Sequence, residues 1–329
     1  MKKVFPILAV LLFAAMFLSL LAGSSSLTAT AALKSLLEGP YGASTDSGIV
    51  WFVRVPRVVV VAFVGAALAA SGTAFQSLFR NPMADPSLLG IASGGALAAV
   101  QVLFHFPMAP IWVLPLVAFA GCFLAAAILV ALTHFGGRPT MTTTLLTGVV
   151  LSSLFTSGTS LSLLLSDEYQ LRQLVFWLSG GAEARSWLHV AIAIPPVLTG
   201  FAVLYSVSRW LDALALGEDH AESVGVPVER ARLVVLVGAA LSVGAAVSVC
   251  GPVGFVGLLV PHLLRPWVGA ASRHLLPAAA LGGALLLVVA DFVARVWLPA
   301  GLQLGILTSL LGVPFFLWLL VRERQSVFR

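Results

Sequence analysis

The sequence predicts an all-α polytopic membrane protein. A single transmembrane domain is expected over residues 1–329, with ten transmembrane helices and both termini cytoplasmic. Three observations lead there. First, 60% of the 329 residues are hydrophobic and only 9% are charged, against about 45–50% and about 25% in soluble domains. Second, apolar runs recur along the whole chain, most of them near the ~20 residues needed to cross a bilayer. Third, the cations are unevenly shared: with the N-terminus inside, twelve of the 18 Lys and Arg fall in inner segments and six in outer ones, the bias expected of cytoplasmic loops. Charge this sparse excludes a soluble enzyme, a disordered tail and a disulfide scaffold. The net charge of +5 reads as loop charge, not as a nucleic-acid surface.

The spans follow in order. Lys2 and Lys3 precede the run Val4 to Leu21. It is longer than the about 7–15 residues of a signal-peptide core, so it reads as a first transmembrane helix. The second runs from Val58 to Leu78, the third from Leu88 to Phe104 and the fourth from Ile111 to Thr133. The fifth covers Thr143 to Leu165 and the sixth Val190 to Val207. The seventh spans Leu233 to Val249, and the eighth, interrupted by glycine, Gly254 to Leu264. The ninth runs from Leu276 to Val293 and the tenth from Leu304 to Leu320. Connections are short, the longest being Ser24 to Phe52 and Ser166 to His189 outside and Ser208 to Arg232 inside. Cys122 and Cys250 sit in apolar runs and read as small buried side chains.

Polar residues are costly in a membrane, so their clusters carry the information. Arg54-Val55-Pro56-Arg57 opens the second span; such arginines either snorkel to headgroups or dock an acidic partner. Gln76 to Gly90 contains Arg80-Asn81-Pro82-Met83-Ala84-Asp85-Pro86, where two prolines break the helix sharply. Leu214 to Gly225 carries Glu218, Asp219 and Glu222 at the start of a short helix that Gly225 ends. Such a helix suits either a solvated loop or a partner's groove. Cys250 to Arg265 spaces glycines at 251, 254 and 257 between prolines at 252 and 261, permitting close backbone approach. His262 beside Arg265 reads as a structural group rather than a metal or haem ligand. Asp291 and Arg295 are four apart in the stabilising acid-first order. The Leu171 to Gly181 and Pro299 to Phe316 strings read alone as ordinary helix ends.

In this order the clusters resemble the type II ABC importer permeases of the iron–siderophore, haem and vitamin B12 (FecCD-like) family. The resemblance rests on Arg54-x-Pro56-Arg57, Arg80 to Pro86, Leu216-Gly217-Glu218, Gly254-Phe255-Val256-Gly257 with Pro261-His262 and Arg265, and Gly312-x-Pro314-Phe315-Phe316. It covers residues from about 50 to 320. It implies a homodimer in the cell (inner) membrane with a central pathway, two separate ATP-binding cassette subunits, and a periplasmic or lipid-anchored substrate-binding protein. By position, Arg54, Arg57 and Arg295 look like the residues that receive the binding protein's acidic groups. Leu216, Gly217, Glu218, Ala221 and Gly225 look like the segment that couples to the ATPase, with Ala221 on the face that enters it. Met141, Thr142 and Thr143 look like the cytoplasmic gate. The sequence departs from the family at Gly301-Leu302-Gln303, where Glu-Leu-Pro is common.

The chain has no Gly-x-x-x-x-Gly-Lys-[Ser/Thr] loop to cradle nucleotide phosphates. It is therefore expected to be a transport subunit and not an enzyme. It is expected to bind no metal, nucleic acid or cofactor itself, with ATP and Mg held by the partner ATPase. An iron chelate is the first expected substrate and cobalamin the second. The rival of another class is an ion-coupled secondary transporter, which needs membrane carboxylates; Asp291 is the one candidate in the spans, and it is already paired. An intramembrane enzyme lacks a second buried acid or a Ser–His pair.

Overall fold

The structure is a computed structural model describing residues 3–23, 27–42, 45–135, 140–298 and 302–327, with side chains of 45, 88 and 318–327 outside that description. Lys2, Arg138, Arg329 and Pro299-Ala300-Gly301 of the sequence reading also lie outside the described residues.

Among the described residues every regular element is helical. The first is α1 (Val4–Leu21), followed by the short α2 (Ala29–Glu38). Helix α3 (Thr45–Ile49) leads through a π-helical turn, Val50–Arg54, into α4 (Val55–Leu78). Next come α5 (Ile91–His105), α6 (Val113–His134), α7 (Met141–Leu165), α8 (Glu168–Leu178) and α9 (Trp187–Ser206). The chain closes with α10 (Ser208–Ala215), α11 (Glu218–Ser223), α12 (Val228–Cys250), α13 (Val256–Val268), α14 (Ser272–Val296) and α15 (Leu304–Val327).

Among the described residues, seven helices are long and apolar enough to cross a membrane: α1, the continuous Asp46–Leu78 run, α6, α7, α9, α12 and α14. The other three expected spans coincide with shorter apolar helices, Ile91–His105, Val256–Val268 and Leu304–Leu317. At 1.5 Å per residue, the 15-residue α5 and 13-residue α13 fall short of a ~30 Å hydrocarbon layer. The reason is in the sequence. Pro82 and Pro86 delay α5, and the non-helical Gly251–Phe255 segment delays α13.

The core is α4 packed on α14, α12, α13 and α9, while α5 packs on α6. Glycine sets the closest crossing. A methyl on Gly65 would strike the backbone carbonyl of Gly283, and one on Gly283 would strike that of Gly65. The two backbones touch, as small residues allow between membrane helices. Gly72 meets the Gly257 backbone in the same way.

The sequence reading left out several helices. Asp167 accepts from Gln170 N at 2.8 Å, and the Gln170 side chain returns to the Asp167 N–H. This capping box starts α8 as a helix of its own, where a plain helix end was expected. Thr28 caps α2 by accepting from Ala31 N, inside what read as a loop. Thr140 caps α7, so that helix starts at Met141 and not at Thr143.

Candidate functional site

The first cluster forms where α1, the π-helical turn, α4 and α14 meet at one end of the bundle. Arg57, in the first turn of α4, reaches across to Asp291 on α14. Its Nη2 lies 2.8 Å and its Nε 3.1 Å from Oδ1, with Oδ2 at 3.2 Å. Arg295, one turn beyond Asp291, donates to Oδ2 at 2.9 Å and also to the Ser19 hydroxyl at the end of α1. The expected i,i+4 pair is thus present, with Arg57 added. The Asp291 side chain is 2% exposed, against 16% for Arg57 and 9% for Arg295. A buried carboxylate needs such partners, because desolvation alone would make its charge costly.

Arg54 ends the π-helical turn. Its Nη1 donates to the Leu20 and Leu21 carbonyls at 2.7 and 3.0 Å. These are orphan acceptors at the C-terminus of α1, so Arg54 seals that helix end. Gly23 lets both guanidinia approach, since a methyl there would come within 3.3 Å of Arg54 and Arg295. All three guanidinium groups are turned into the protein, where each has carbonyls or a carboxylate to satisfy.

Sequence reasoning missed three members of this cluster. Glu183 accepts from Arg57 at 3.4 Å. Arg185, in the same α8–α9 connection, has a buried Nε with no hydrogen-bond partner. Burial lowers its guanidinium pKa, and Glu183 acts in the opposite direction. Gln303 is 3% exposed, and neither amide atom is paired. Its oxygen and a Glu183 oxygen both lie where a Gly181 methyl would stand.

A second feature is an open cleft of about 620 Å³. Leu178, Pro252, Gly254, Gly305, Leu310 and Val313 contribute to its largely apolar wall. Ser179 and Ser309 also line it, but their hydroxyls donate to carbonyls of their own segments, Val175 and Gly305. Three backbones are stitched at its edge: Gly305 N donates to Gly180 O at 2.9 Å and Gly181 N to Cys250 O at 2.8 Å. The Gln76–Gly90 and Cys250–Arg265 strings meet at a separate, smaller pocket lined by Asp85, Pro86, Pro252 and Gly257. Gln76 donates to Gly257 O at 3.2 Å and accepts from Arg265 at 2.9 Å. Asp85 caps the turn at Pro86–Leu89 and lies near Gly257. In the first turn of α7, Thr142 and Thr143 are exposed and Met141 is half-buried.

The third feature is α11. Val226 N donates to Ala221 O at 2.9 Å and Gly225 N to Glu222 O at 3.0 Å. With Gly225 at φ 82° this is a Schellman ending. Glu218 anchors the other end through Arg232 at 3.1 Å. Ala221 is fully buried, which corrects the expectation that it faces a partner. A six-residue helix must bury one side to persist, and the alanine supplies it. The exposed surface is Asp219, His220, Glu222 and Ser223, flanked by Leu216 and Val224 at 72% and 58% exposure.

Residues 11–322 match the model of the FecCD transport family. The hemin transport system permease protein HmuU of Yersinia pestis is 41% identical over 283 residues, 84% of either chain. The Fe(3+) dicitrate transport system permease protein FecD of Escherichia coli strain K12 is 43% identical over 272 residues, 82% of this chain and 84% of that one. The vitamin B12 import system permease protein BtuC of Vibrio cholerae is 40% identical over 290 residues, 86% of both. A solved structure described as an inward-facing conformation of a metal-chelate type ABC transporter superposes with TM-score 0.83. It covers 97% of this chain and 99% of that chain at 31% identity. Aligned along most of its length with these permeases, and carrying among the described residues seven helices fit to cross a membrane, the chain belongs to the FecCD transport family and is a multi-pass membrane permease of an ABC importer.

Proposed function

We propose that this permease moves an iron chelate, a siderophore complex or haem, across the inner membrane by ATP-driven alternating access. Vitamin B12 is the second reading, supported by a cobalamin permease matched at 40% identity and equal coverage. The observation that carries the ATP-driven reading is the exposed, capped α11 surface on a chain that lacks a nucleotide loop of its own; the iron-chelate reading rests on the hemin and Fe(3+) dicitrate permeases matched at 41% and 43% identity. In this scheme ten segments traverse the bilayer with both termini cytoplasmic, and two copies enclose the pathway.

Two ATP-binding cassette subunits, which hold the ATP and Mg, receive the α11 surfaces. A soluble or lipid-anchored binding protein delivers substrate at the Arg54, Arg57 and Arg295 end. Its acidic groups compete with Asp291 for the arginines, and this chain supplies no cofactor. ATP binding shifts α11, and the permease passes between two packed states as rigid bodies. The cleft wall then slides past a bulky chelate without strong ligands, and Met141, Thr142 and Thr143 close the cytoplasmic side.

The test is uptake by proteoliposomes holding the permease with its ATPase and binding protein. Radiolabelled ferric siderophore, haem and cobalamin are offered in parallel, with and without ATP. ATP-dependent uptake of an iron chelate alone supports the first reading, and uptake of cobalamin alone the second. Uptake that needs no ATP and collapses with an ionophore would establish an ion-coupled carrier instead.

A further inference from the structure

Helix α2 has its large apolar side chains on the wrong side for a helix in water. It buries Ala32 and Ser35, at 0% and 2% exposure. It exposes Leu33 at 42% and Leu37 at 82%, and Tyr41 just beyond it at 94%. A helix at a water-facing protein surface does the reverse, turning leucines inward and polar groups outward. Helix α1, an apolar span candidate, follows the same inverted rule. It buries Leu8 and Ser19 while exposing Ile7, Val10, Phe13 and Leu18. The two helices touch, and Phe52 and Val53 of the π-helical turn, 49% and 54% exposed, extend the apolar surface.

With ten residues, α2 reaches about 15 Å, half of what crossing needs. It is held down by its own backbone, since Trp51 Nε1 donates to the Ser35 carbonyl at 3.1 Å. Trp187 in turn donates to the Trp51 carbonyl at 2.9 Å. Tryptophans and tyrosines with one wet and one apolar side gather at membrane–water boundaries. Beside the leucines, Lys34 and Glu38 form a 3.6 Å pair in which the lysine side chain is 79% exposed. Charge at the edge of an apolar stripe is the pattern of a helix lying in an interface.

We infer that α2 is an interfacial helix whose Leu33–Leu37–Tyr41 stripe is covered by phospholipid at the membrane surface, continuing the lipid-facing side of α1. Lipid is the occupant, rather than the binding protein, because the stripe is continuous with a surface that a membrane must already cover. The inference concerns where α2 lies and does not depend on which substrate is carried.

The test uses the full permease–ATPase complex in phosphatidylcholine–phosphatidylglycerol nanodiscs. Cys122 and Cys250 are 0% and 1% exposed, so nitroxide labels go selectively to Leu33→Cys, Leu37→Cys and, as a water-facing control, Glu168→Cys, whose parent side chain is 92% exposed. Collision rates are measured with oxygen, which partitions into lipid, and with a neutral nickel chelate, which stays in water. The expected result is oxygen access severalfold above nickel access at positions 33 and 37, the reverse at 168, and no change when binding protein is added. Nickel access dominating at 33 and 37 would overturn the inference. So would protection that appears only with bound binding protein. Loss of transport with the labels still lipid-facing would leave the inference standing and count against the transport reading alone.

Discussion

Arg57 and Asp291 lie 234 residues apart in sequence and share a bidentate hydrogen bond at the meeting of α4 and α14, with the shorter contact at 2.8 Å. Arg295 takes the other carboxylate oxygen. One acid therefore holds two cations and ties the first turn of α4 to the last turns of α14. Removing it takes the carboxylate from Arg295 and leaves Arg57 only the longer 3.4 Å contact to Glu183, and a broken buried pair costs about 3–5 kcal/mol. Asp291→Asn is expected to lower the unfolding midpoint of the purified protein markedly. Raising the salt should not reproduce that loss in the wild type, because buried pairs are poorly screened. A mutant midpoint equal to wild type would show the cluster to be dispensable for stability.

The same cluster makes a docking prediction with a different readout. Arg57 keeps 16% of its side chain exposed, and the neighbouring Glu183 36%. Arg57→Glu is expected to weaken association with the substrate-binding protein. Added salt is expected to weaken the wild-type complex over the range where the screening length falls from about 10 Å to about 3 Å. Surface plasmon resonance on nanodisc-held permease measures both. Affinity indifferent to salt and to the charge reversal would remove the docking role.

The Gly65–Gly283 crossing gives a packing prediction. A methyl on Gly65 meets a backbone carbonyl that cannot rotate away, so α4 and α14 must separate. Overpacking of this kind costs typically about 1–3 kcal/mol. Gly65→Ala should therefore destabilise the protein, although alanine is the better helix former. Gly48, in α3, has nothing within 4 Å of the same added methyl, and Gly48→Ala is expected to be neutral or stabilising by up to about 1 kcal/mol. Thermal unfolding of the two variants side by side separates packing from helix propensity.

Much of this fold was legible in the sequence, because hydrophobic runs announce themselves and membrane helices need little else. The Asp291–Arg295 pair was also legible, since four residues along a helix is a local relation. Arg57 joining it was not: nothing local tells an arginine at a helix start whether it will reach headgroups or a distant carboxylate. Helix α8 carried its signature, Asp167-x-x-Gln170, which was overshadowed by the apolar run before it. Helix α2 carried Thr28 as a cap but no inward apolar stripe. The burial of Ala221 depends on which neighbours pack against a six-residue helix, and periodicity over so few residues cannot reveal it.

Thr142 is exposed one residue into α7, so its side chain can change without disturbing the core. The Thr140 cap, which accepts from Thr143 N at 3.1 Å, is untouched by substitution at 142. Thr142→Trp should leave folding and ATPase association normal and should slow ATP-driven uptake if this turn closes the pathway. Transport at the wild-type rate with the bulky residue in place would move the gate elsewhere.

The α11 prediction must separate folding from coupling. Ala221 has no exposed surface, so Ala221→Arg forces a long cation into a closed contact and should unseat α11 whatever its role. Gly225→Pro acts similarly: it removes the N–H that donates to Glu222 O and imposes a negative φ where the chain has +82°. Neither variant alone distinguishes a docking helix from a structural one. Leu216→Asp and Val224→Asp do, because both parent side chains are mostly exposed and flank the acidic face. With little buried area to lose, these variants should insert and unfold as the wild type does, surface substitutions usually costing within about 0.5 kcal/mol. Apolar side chains presented by a short helix are what a partner's groove takes up. The double variant should therefore lose ATP-driven uptake and show weakened ATPase association, or hydrolysis that no longer responds to loaded binding protein. Normal uptake with normal stimulation in the double variant would make α11 a solvated helix and place the entry of ATP energy at another surface.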